Sequence, residues 1–311
     1  MRYILILSVL FVFNACSKSK TGIVLSPSLD GGLYDLMDIE IHQEKLWVSG
    51  GEHYDSGVLF FSEDEGKTWS EPITIGNKRL NTLCIIEDKF FAGDHDGKIY
   101  RSMDAGLNWD TYQTSLWRSI QDIQFLNGDT GYAVASLGYN KGVIYRTVNG
   151  GEQWNIVKNT LEPCLNFLFI DESQNIYAGG YGIVLKSSDY GLHWDTLYVT
   201  GENFQGALAV DDEIVFYGSG GALINLSNKV LYRKSHLVHP SISWSSHAKF
   251  KNNILIAGRS NKLLVSVDNG THWTSLKSKR DVSWQGLYFI NEVSGIMVGK
   301  EGQCMQFLLT P

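Results

Sequence analysis

Short segments of strand-forming residues, either apolar or mixed with polar ones, recur along the whole chain, and turn-forming residues separate them. The apolar run Leu83–Ile86 and the mixed segment Lys98–Arg101 are two examples. Because successive side chains of an extended strand point to opposite faces, alternation with a period of two predicts strands rather than helices. We therefore expect an all-β protein built from many short strands.

Seven of these segments end alike, in apolar residues followed by glycine or another small residue. They are Val48–Gly50, Phe91–Gly93, Ala133–Ala135, Tyr177–Gly179, Phe216–Gly218, Ile256–Gly258 and Met297–Gly299. Successive copies lie 39 to 44 residues apart. A repeat of this length with room for four short strands is typical of a propeller blade, so the seven copies predict a seven-bladed β-propeller.

A second motif, S/T-x-D/N-x-G-x-x-W, occurs five times, and we call each copy a box. The shared residues are Asp64, Gly66 and Trp69; Asp104, Gly106 and Trp109; Asn149, Gly151 and Trp154; Asp189, Gly191 and Trp194; and Asp268, Gly270 and Trp273. Glycine permits the positive φ of a tight turn, and Asp or Asn accepts hydrogen bonds from turn N–H groups. The tryptophan is expected to pack the base of the hairpin into the core. We interpret the boxes as structural turns that bind no ligand.

The last repeat is too short to form a complete blade. In the second repeat the box tryptophan, Trp109, lies 16 residues after Gly93, whereas only 12 residues follow Gly299. The early segment Gly22–Ser26 is strand-like and has no box of its own. We predict that this N-terminal strand closes the last blade, which also removes an exposed sheet edge.

The N-terminus has the features of an export signal. Arg2 precedes an apolar run, Ile4–Phe13, that is about half as long as a membrane-spanning helix. The small residue and lone Cys16 that end this region resemble the lipobox of bacterial lipoproteins, although Phe13 and Asn14 depart from the residues preferred there. Ordinary secretion with an unmodified cysteine is the alternative.

The lipobox resemblance implies a domain organisation and a location. Residues 1–15 would be the signal peptide, residues 16–21 a tether lipidated on Cys16, and residues 22–311 a single propeller. The protein would then be anchored by its lipid in the cell envelope, facing the periplasm or on the outer membrane.

Composition and charge narrow the possible functions. The net charge of -7 over 311 residues argues against a dedicated nucleic-acid binder, which needs a basic face. Three cysteines remain after the signal, and because each adjoins apolar residues we predict that Cys84, Cys164 and Cys304 are buried thiols. No zinc-like spacing or phosphate loop is present, and Asp94–Asp96 is interpreted as a solvated turn, so no metal or cofactor is expected.

The repeats also resemble known families. The boxes resemble the Asp box, also called the bacterial neuraminidase repeat, which sialidases carry on a six-bladed ring; the Arg-Ile-Pro motif of sialidases is absent here. Ser119–Val134 and Trp284–Gly299 are similar to the blade signature of the photosystem II assembly-factor family. That resemblance implies a seven-bladed, exported, non-enzymatic ring that binds immature membrane proteins. A sialidase-like or other carbohydrate-active glycoside hydrolase on the same propeller is the alternative.

A candidate binding face follows from propeller topology. The loops that join blades share one face with the loops between second and third strands, and tryptophan and arginine are enriched in interface hot spots. The predicted face comprises Arg79, His95, Trp117, Arg118, Tyr139, Trp244, His247, Arg259, Trp284 and Lys300. For the tryptophans the alternative is packing between blades. We expect the partner to be another envelope protein or a glycan, and not a nucleic acid, with membrane contact through the lipid.

Overall fold

The computed structural model describes residues 22–30, 32–159, 163–227, 230–233, 242–259, 262–277 and 282–310. The predicted signal peptide, Cys16 and the tether over residues 16–21 lie outside this part of the chain. Every regular element in the described residues is a strand, so the prediction of an all-β protein is confirmed. No helix among them is long and apolar enough to cross a membrane.

The strands, numbered in chain order, occupy four positions counted outward from a central cavity. The innermost are β2 (Asp35–His42), β6 (Leu80–Ile86), β10 (Ser119–Phe125), β14 (Leu165–Ile170), β16 (Asp195–Val210), β20 (Ser243–Phe250) and β24 (Trp284–Phe289). The second are β3 (Lys45–Glu52), β7 (Lys89–Asp94), β11 (Gly131–Leu137), β15 (Ile176–Ser187), β17 (Glu213–Gly218), β21 (Asn253–Arg259) and β25 (Ser294–Gly299). The third are β4 (Ser56–Ser62), β8 (Lys98–Ser102), β12 (Asn140–Thr147), β18 (Leu223–Ser227), β22 (Lys262–Ser266) and β26 (Gln303–Thr310). The outermost are β5 (Ile73–Gly76), β9 (Asp110–Gln113), β13 (Asn155–Asn159), β19 (Val230–Arg233), β23 (Thr274–Lys277) and β1 (Gly22–Asp30).

The inner strands form a closed circle. They contact one another in the order β2, β6, β10, β14, β16, β20 and β24, and β24 contacts β2 again. Apolar side chains of neighbouring sheets fill the spaces between them; one such cluster contains Leu263, Trp284 and Phe307. Sheets that radiate from a central circle of strands are the arrangement of a β-propeller.

Hydrogen bonding joins the described strands into six sheets, so by this count the propeller has six blades, and the prediction of seven separate blades is corrected. Five sheets have four strands, and one has six, in the order β14, β15, β16, β17, β18 and β19. The cause is β16, which continues without a break over 16 residues. Its first part, residues 195–203, pairs with the second part of β15 and takes the outermost place of one repeat, whereas its second part, Phe204–Val210, pairs with β17 and takes the innermost place of the next. β15 likewise covers the second and third places of its repeat. Two of the seven sequence repeats therefore share one sheet.

The N-terminal strand completes the last sheet, as predicted. β1 pairs antiparallel with β26, and Gly22 lies opposite Thr310 at one end of the pairing. Ile23 and Leu25 pack against the apolar cluster between the last two sheets. The first strand and the last strand of the chain thus lie side by side, which ties the two ends of the ring together.

Glycines at the ends of second strands permit a close approach to the inner strand. A Cβ atom on Gly258 would lie 1.8 Å from the carbonyl oxygen of Ser243, and one on Gly50 would lie 2.1 Å from that of Asp35. Both distances are far shorter than any van der Waals contact, so a larger residue would push the strands apart. The glycine that ends these two repeats is therefore explained by sheet packing.

The boxes form the turns that their sequence predicts. The hydroxyl of Ser102 accepts a hydrogen bond from the N–H of Gly106 at 2.9 Å, and Asp104 Oδ1 accepts one from the N–H of Asn108 at 2.8 Å. The N–H of the box glycine makes the equivalent bond to Ser62, Thr147, Ser187 and Ser266 in the other four boxes. Each box glycine has a φ between 79° and 86°. Trp154 is buried, and the other four box tryptophans are half-buried against apolar clusters.

The three cysteines in the described residues are buried and form no disulfide, as predicted. Burial raises the pKa of the Cys304 thiol to about 12 and that of the Cys84 thiol well above its ordinary value. These groups therefore remain protonated and behave as small apolar side chains.

Candidate functional site

A cavity of about 790 Å³ lies at the centre of the ring, and all seven inner strands line it. We call the face that carries the loops between sheets, together with the loops between second and third strands, the linker face. The opposite face carries the boxes and is called the box face. The cavity wall reaches His95 on the linker side and Phe250 on the box side.

A ring of mainly polar side chains surrounds this cavity, one from each inner strand. Every inner strand has a bulge, and the bulged residue lines the cavity in each case: Met37, Asn81, Gln121, Asn166, Gln205, Ser245 and Gln285. A bulge inserts an extra residue and turns its side chain away from the regular pleat. The shared bulge therefore explains why the seven side chains occupy equivalent places.

Some of these side chains join neighbouring inner strands. Asn81 Nδ2 donates to the carbonyl oxygen of Ile120 at 2.9 Å, and Asn166 Nδ2 donates to that of Phe204 at 2.8 Å. Gln121 instead folds back, and its Nε2 donates to a carbonyl oxygen of its own strand at 3.2 Å. The asparagines thus fix the ring, while Gln121 makes only this local contact.

Two carboxylates next to the ring of side chains each accept a hydrogen bond from the following inner strand. Asp38 Oδ2 accepts a hydrogen bond from the N–H of Leu83 at 2.9 Å, and Asp122 Oδ2 accepts one from the N–H of Leu168 at 2.7 Å. Burial raises the pKa of Asp38 to about 6 and that of Asp122 to about 7. Burial and the charge of Asp38 also raise the pKa of Glu40. The cavity therefore contains carboxyl groups that are partly protonated near neutral pH.

The predicted site residue His247 lines this cavity and does not lie on the surface of a loop. Its Nδ1 lies 3.0 Å from the hydroxyl of Tyr217, which lies on β17 in the neighbouring sheet. Burial lowers the pKa of His247 to about 4, so the imidazole is neutral at physiological pH. This pair acts as a polar link inside the wall of the cavity.

The linker face carries a cluster of three rings beside the cavity. The His53 ring lies 4.1 Å from the His95 ring and 4.2 Å from the Tyr54 ring, measured between centroids. Arg79 is mostly buried next to this cluster, and its Nη1 donates to Asp35 Oδ2 at 2.8 Å. Burial, followed by the charge of Arg79, lowers the pKa of both histidines. The cluster is therefore an uncharged aromatic surface near neutral pH.

Trp117, Arg118 and Tyr139 form the second group on the linker face. Trp117 is 65% exposed and Tyr139 is 75% exposed. Trp117 has a φ of 50°, which is uncommon for a bulky residue and marks a constrained turn. Arg118 Nη1 donates to the carbonyl oxygen of Lys141 at 2.6 Å and to Asn159 Oδ1 at 3.1 Å. These bonds tie the loop before β10 to β12 and β13 of the same sheet and hold the guanidinium in place.

The remaining predicted residues divide between the core and the surface. Trp244 and Trp284 are buried among the apolar clusters between sheets, so their placement on the binding face was wrong, and the alternative of packing is correct. Their large rings take the inner-strand position that Leu36 fills in the first sheet, just before the bulge. Arg259 is exposed at the end of β21, and Lys300 is half-buried just after β25.

The turn at Asp94–Asp96 was interpreted as solvated, and that interpretation was wrong for its first residue. Asp94 is fully buried; its Oδ1 accepts N–H bonds from Asp96 and Lys98, and its Oδ2 accepts the hydroxyl of Tyr100. The carboxylate therefore organises the turn. Within the described ranges, no three His, Cys, Asp or Glu side chains come together as a group that could hold a metal ion.

Sequence reasoning missed the side-chain ring and the pair Asp38 and Asp122. The signal was present, because aligning the seven repeats on their inner strands places Asn, Gln or Ser at one position in six of them. These residues lie on strands, whereas the predicted binding face was built from loop residues. The bulge that turns them into the cavity has no residue signature in this sequence.

Comparison with known proteins shows a shared fold. No family model matches the sequence, and no curated protein is similar to it. The structure described as "YCF48 bound to D1 peptide" is 18% identical, with a TM-score of 0.71 over 94% of this chain and 96% of that chain. YCF48 from Cyanidioschyzon merolae is also 18% identical, with a TM-score of 0.72 over 91% and 98%. The WD40 β-propeller domain of Doa1 is 13% identical, with a TM-score of 0.69 over 93% and 97%.

At these identities the comparisons establish the fold alone. The chain is a β-propeller whose structure is similar to YCF48, a photosystem II assembly factor, and to WD40 propellers. The resemblance to the assembly-factor family that the repeats suggested is thus supported for the architecture.

Proposed function

We propose that this chain is an exported, lipid-anchored propeller that binds an extended segment of another envelope protein on its linker face. The observation that carries the proposal is the exposure of Trp117 and Tyr139 beside a polar cavity, on turns that the sheets hold rigidly. Large aromatic side chains on a fixed scaffold lose little entropy on binding and bury much apolar area. That one solved structure with this fold is described as bound to a peptide supports the same mode of action.

The polar groups of the linker face suit a peptide rather than a flat apolar partner. Arg118 is fixed by its bonds to Lys141 and Asn159, so little ordering is needed when it meets a carbonyl or carboxylate. Gln121 at the rim of the cavity makes only one local bond and can turn to pair with a peptide group. These residues would supply hydrogen bonds, while the aromatic rings supply buried area.

The position of the first strand fits a lipid anchor on the opposite side. β26 starts next to the linker-face turn at Lys300 and ends at Thr310, so the paired Gly22 lies at the box face. A tether before Gly22 would leave from that face and point the linker face away from the membrane. Replacing Cys16 with Ser should release the protein into the soluble fraction, and continued membrane association of this variant would refute the anchor.

Affinity capture tests the binding function directly. The intact protein should retain an envelope protein from detergent-solubilised membranes, and a variant with Trp117→Ala and Arg118→Ala should lose it. Val24→Ala is the matched control, because this side chain is exposed on the outer strand, far from the linker face. Equal retention by all three proteins would contradict the proposal.

A glycoside hydrolase is the second candidate, and the cavity carboxyls favour it. Such enzymes use a pair of Asp or Glu carboxyl groups, and Asp38 and Asp122 both line the cavity, where burial raises the pKa of each. Hydrolysis of a panel of fluorogenic glycosides that is abolished by Asp122→Asn would establish this alternative. If the protein hydrolyses none of these glycosides, and the Trp117 and Arg118 variant loses the captured partner, the glycoside hydrolase alternative is rejected.

A further inference from the structure

The box turns of three consecutive repeats carry exposed apolar side chains that the turns do not require. The hydrogen bonds of a box use its Ser or Thr, its Asp or Asn and its glycine, and the positions between them are free to vary. In the second, third and fourth boxes these free positions hold Met103, Leu107, Val148, Tyr190 and Leu192. Their side chains are 48% to 82% exposed. We call these five residues the apolar arc.

The fold does not demand apolar residues at these positions. The first box makes the same turn with Glu63, Glu65 and Lys67 there. Isolated exposed apolar residues are ordinary, but a series on one face marks an interaction surface. Hydrogen bonds tie two of these boxes to the preceding sheet, because Arg101 Nη1 donates to the carbonyl oxygen of Gly150 at 3.4 Å and the Tyr132 hydroxyl donates to that of Tyr190 at 2.7 Å.

Acidic residues border the arc on the same face. The loops between first and second strands place exposed carboxylates beside the boxes, at Glu87, Asp88, Asp129 and Glu172. The nearby cations are engaged within the protein: Lys89 Nζ donates to the carbonyl oxygen of Gly128 at 2.8 Å and lies 3.9 Å from Asp129, and Arg101 contacts Asp110 at 3.2 Å. Glu87, Asp88 and Glu172 therefore supply most of the negative charge beside the arc. An apolar surface flanked by carboxylates complements a partner that carries lysine or arginine beside apolar residues.

We propose that the apolar arc is a docking surface for a basic, amphipathic segment of a second protein partner. Burial of the leucine side chains would supply affinity, and the carboxylates would select cationic partners. Anionic membrane lipids would be repelled by the same carboxylates. This surface lies opposite the linker face and so gives the ring a second partner, whatever occupies the first site.

Fluorescence anisotropy with a labelled amphipathic peptide of leucine and lysine tests the proposal on the intact chain. The peptide should bind, whereas control peptides with glutamate in place of lysine, or with serine in place of leucine, should not. Leu107→Ser with Leu192→Ser should weaken binding about tenfold. Glu87→Gln with Glu172→Gln should weaken it about threefold and reduce its dependence on salt.

The matched control is Leu33→Ser, because Leu33 is 86% exposed but precedes β2 on the linker face. Equal weakening by this control, or equal binding of the glutamate peptide, would overturn the proposal. So would binding to phosphatidylglycerol vesicles that depends on Leu107, which would indicate a lipid surface. Self-association of the protein that disappears in the Leu107 and Leu192 variant would identify a second copy as the occupant and would also overturn it. Because these side chains are exposed, unchanged circular dichroism is expected for every variant.

Discussion

The closure of the ring by its first strand leads to a quantitative prediction. Ile23 and Leu25 point inward from β1 and pack against the cluster between the last two sheets, whereas Val24 points outward and is 55% exposed. Truncation of a fully buried leucine or isoleucine to alanine costs about 2–5 kcal/mol. Ile23 and Leu25 are only half-buried, so we take half of the lower part of that range. Truncation to alanine should then lower the free energy of unfolding by about 1–1.5 kcal/mol for each residue and by about 2–3 kcal/mol for the double variant.

The expected shift is large enough to measure by thermal unfolding. For a domain of this size each kcal/mol lowers Tm by about 2–4 °C, so Ile23→Ala with Leu25→Ala should lower Tm by about 5–10 °C. The fluorescence of the tryptophans and far-UV circular dichroism at one scan rate would report the transition. Val24→Ala is the control and should change Tm by less than about 2 °C, since exposed truncations cost little. An equal shift for Val24→Ala, or no shift for the double variant, would refute the closure.

Three further predictions concern the cavity, the boxes and the thiols. Because the pKa values of Asp38 and Asp122 are raised, the folded state binds more protons than the unfolded chain between about pH 4 and 7. The free energy of unfolding should therefore fall as pH rises through this window, by about 3 kcal/mol from Asp38 alone. Urea titrations at pH 5 and pH 8 should show a smaller difference in this free energy for Asp122→Asn than for the unmodified protein. Ser102→Ala should lower the free energy of unfolding by about 1–2 kcal/mol, because the N–H groups of Gly106 and Asp104 lose their acceptor. Ser102→Thr should lower it little, because Thr147 makes the same bond in the third box. Equal losses for the two variants in denaturant titrations would contradict this account of the boxes. A thiol reagent should leave Cys84, Cys164 and Cys304 unmodified in the native protein and label all of them in urea, and rapid native labelling would show that they are not buried.

The sequence predicted the repeating part of the fold well because its signals are local. The box turn depends on four residues within eight positions, and the Gly50 and Gly258 repeats reflect contacts within one sheet. The N-terminal closure followed from counting, since the residues after Gly299 form one strand, β26, and the fourth place in that sheet is filled by β1. The number of separate sheets was missed because it depends on whether β16 continues from one partner strand to the next. Gly201, with a φ of 84°, lies between its two parts, and a glycine at that place predicts a break in the strand equally well.

The candidate site was predicted only in part. Trp117 and Tyr139 are exposed on the linker face and Arg118 is half-buried beside Trp117; their side of the ring could be predicted because they lie in loops, whose side is fixed by the propeller topology. Trp244 and Trp284 were misplaced because they sit at a strand end, where a shift of one residue exchanges core for surface. Asp38 and Asp122 lie 84 residues apart in sequence, and only the closed ring places both carboxylates in one cavity.

The central claim is that the linker face binds a protein segment, and site-specific photo-crosslinking in intact envelopes tests it most directly. A benzophenone amino acid would replace Trp117 in one variant, Tyr139 in a second and Val24 in a third. The account predicts that the two linker-face positions yield an adduct with the same protein and that Val24 yields none. Absence of adducts from both linker-face positions, or the same adduct from Val24, would contradict it.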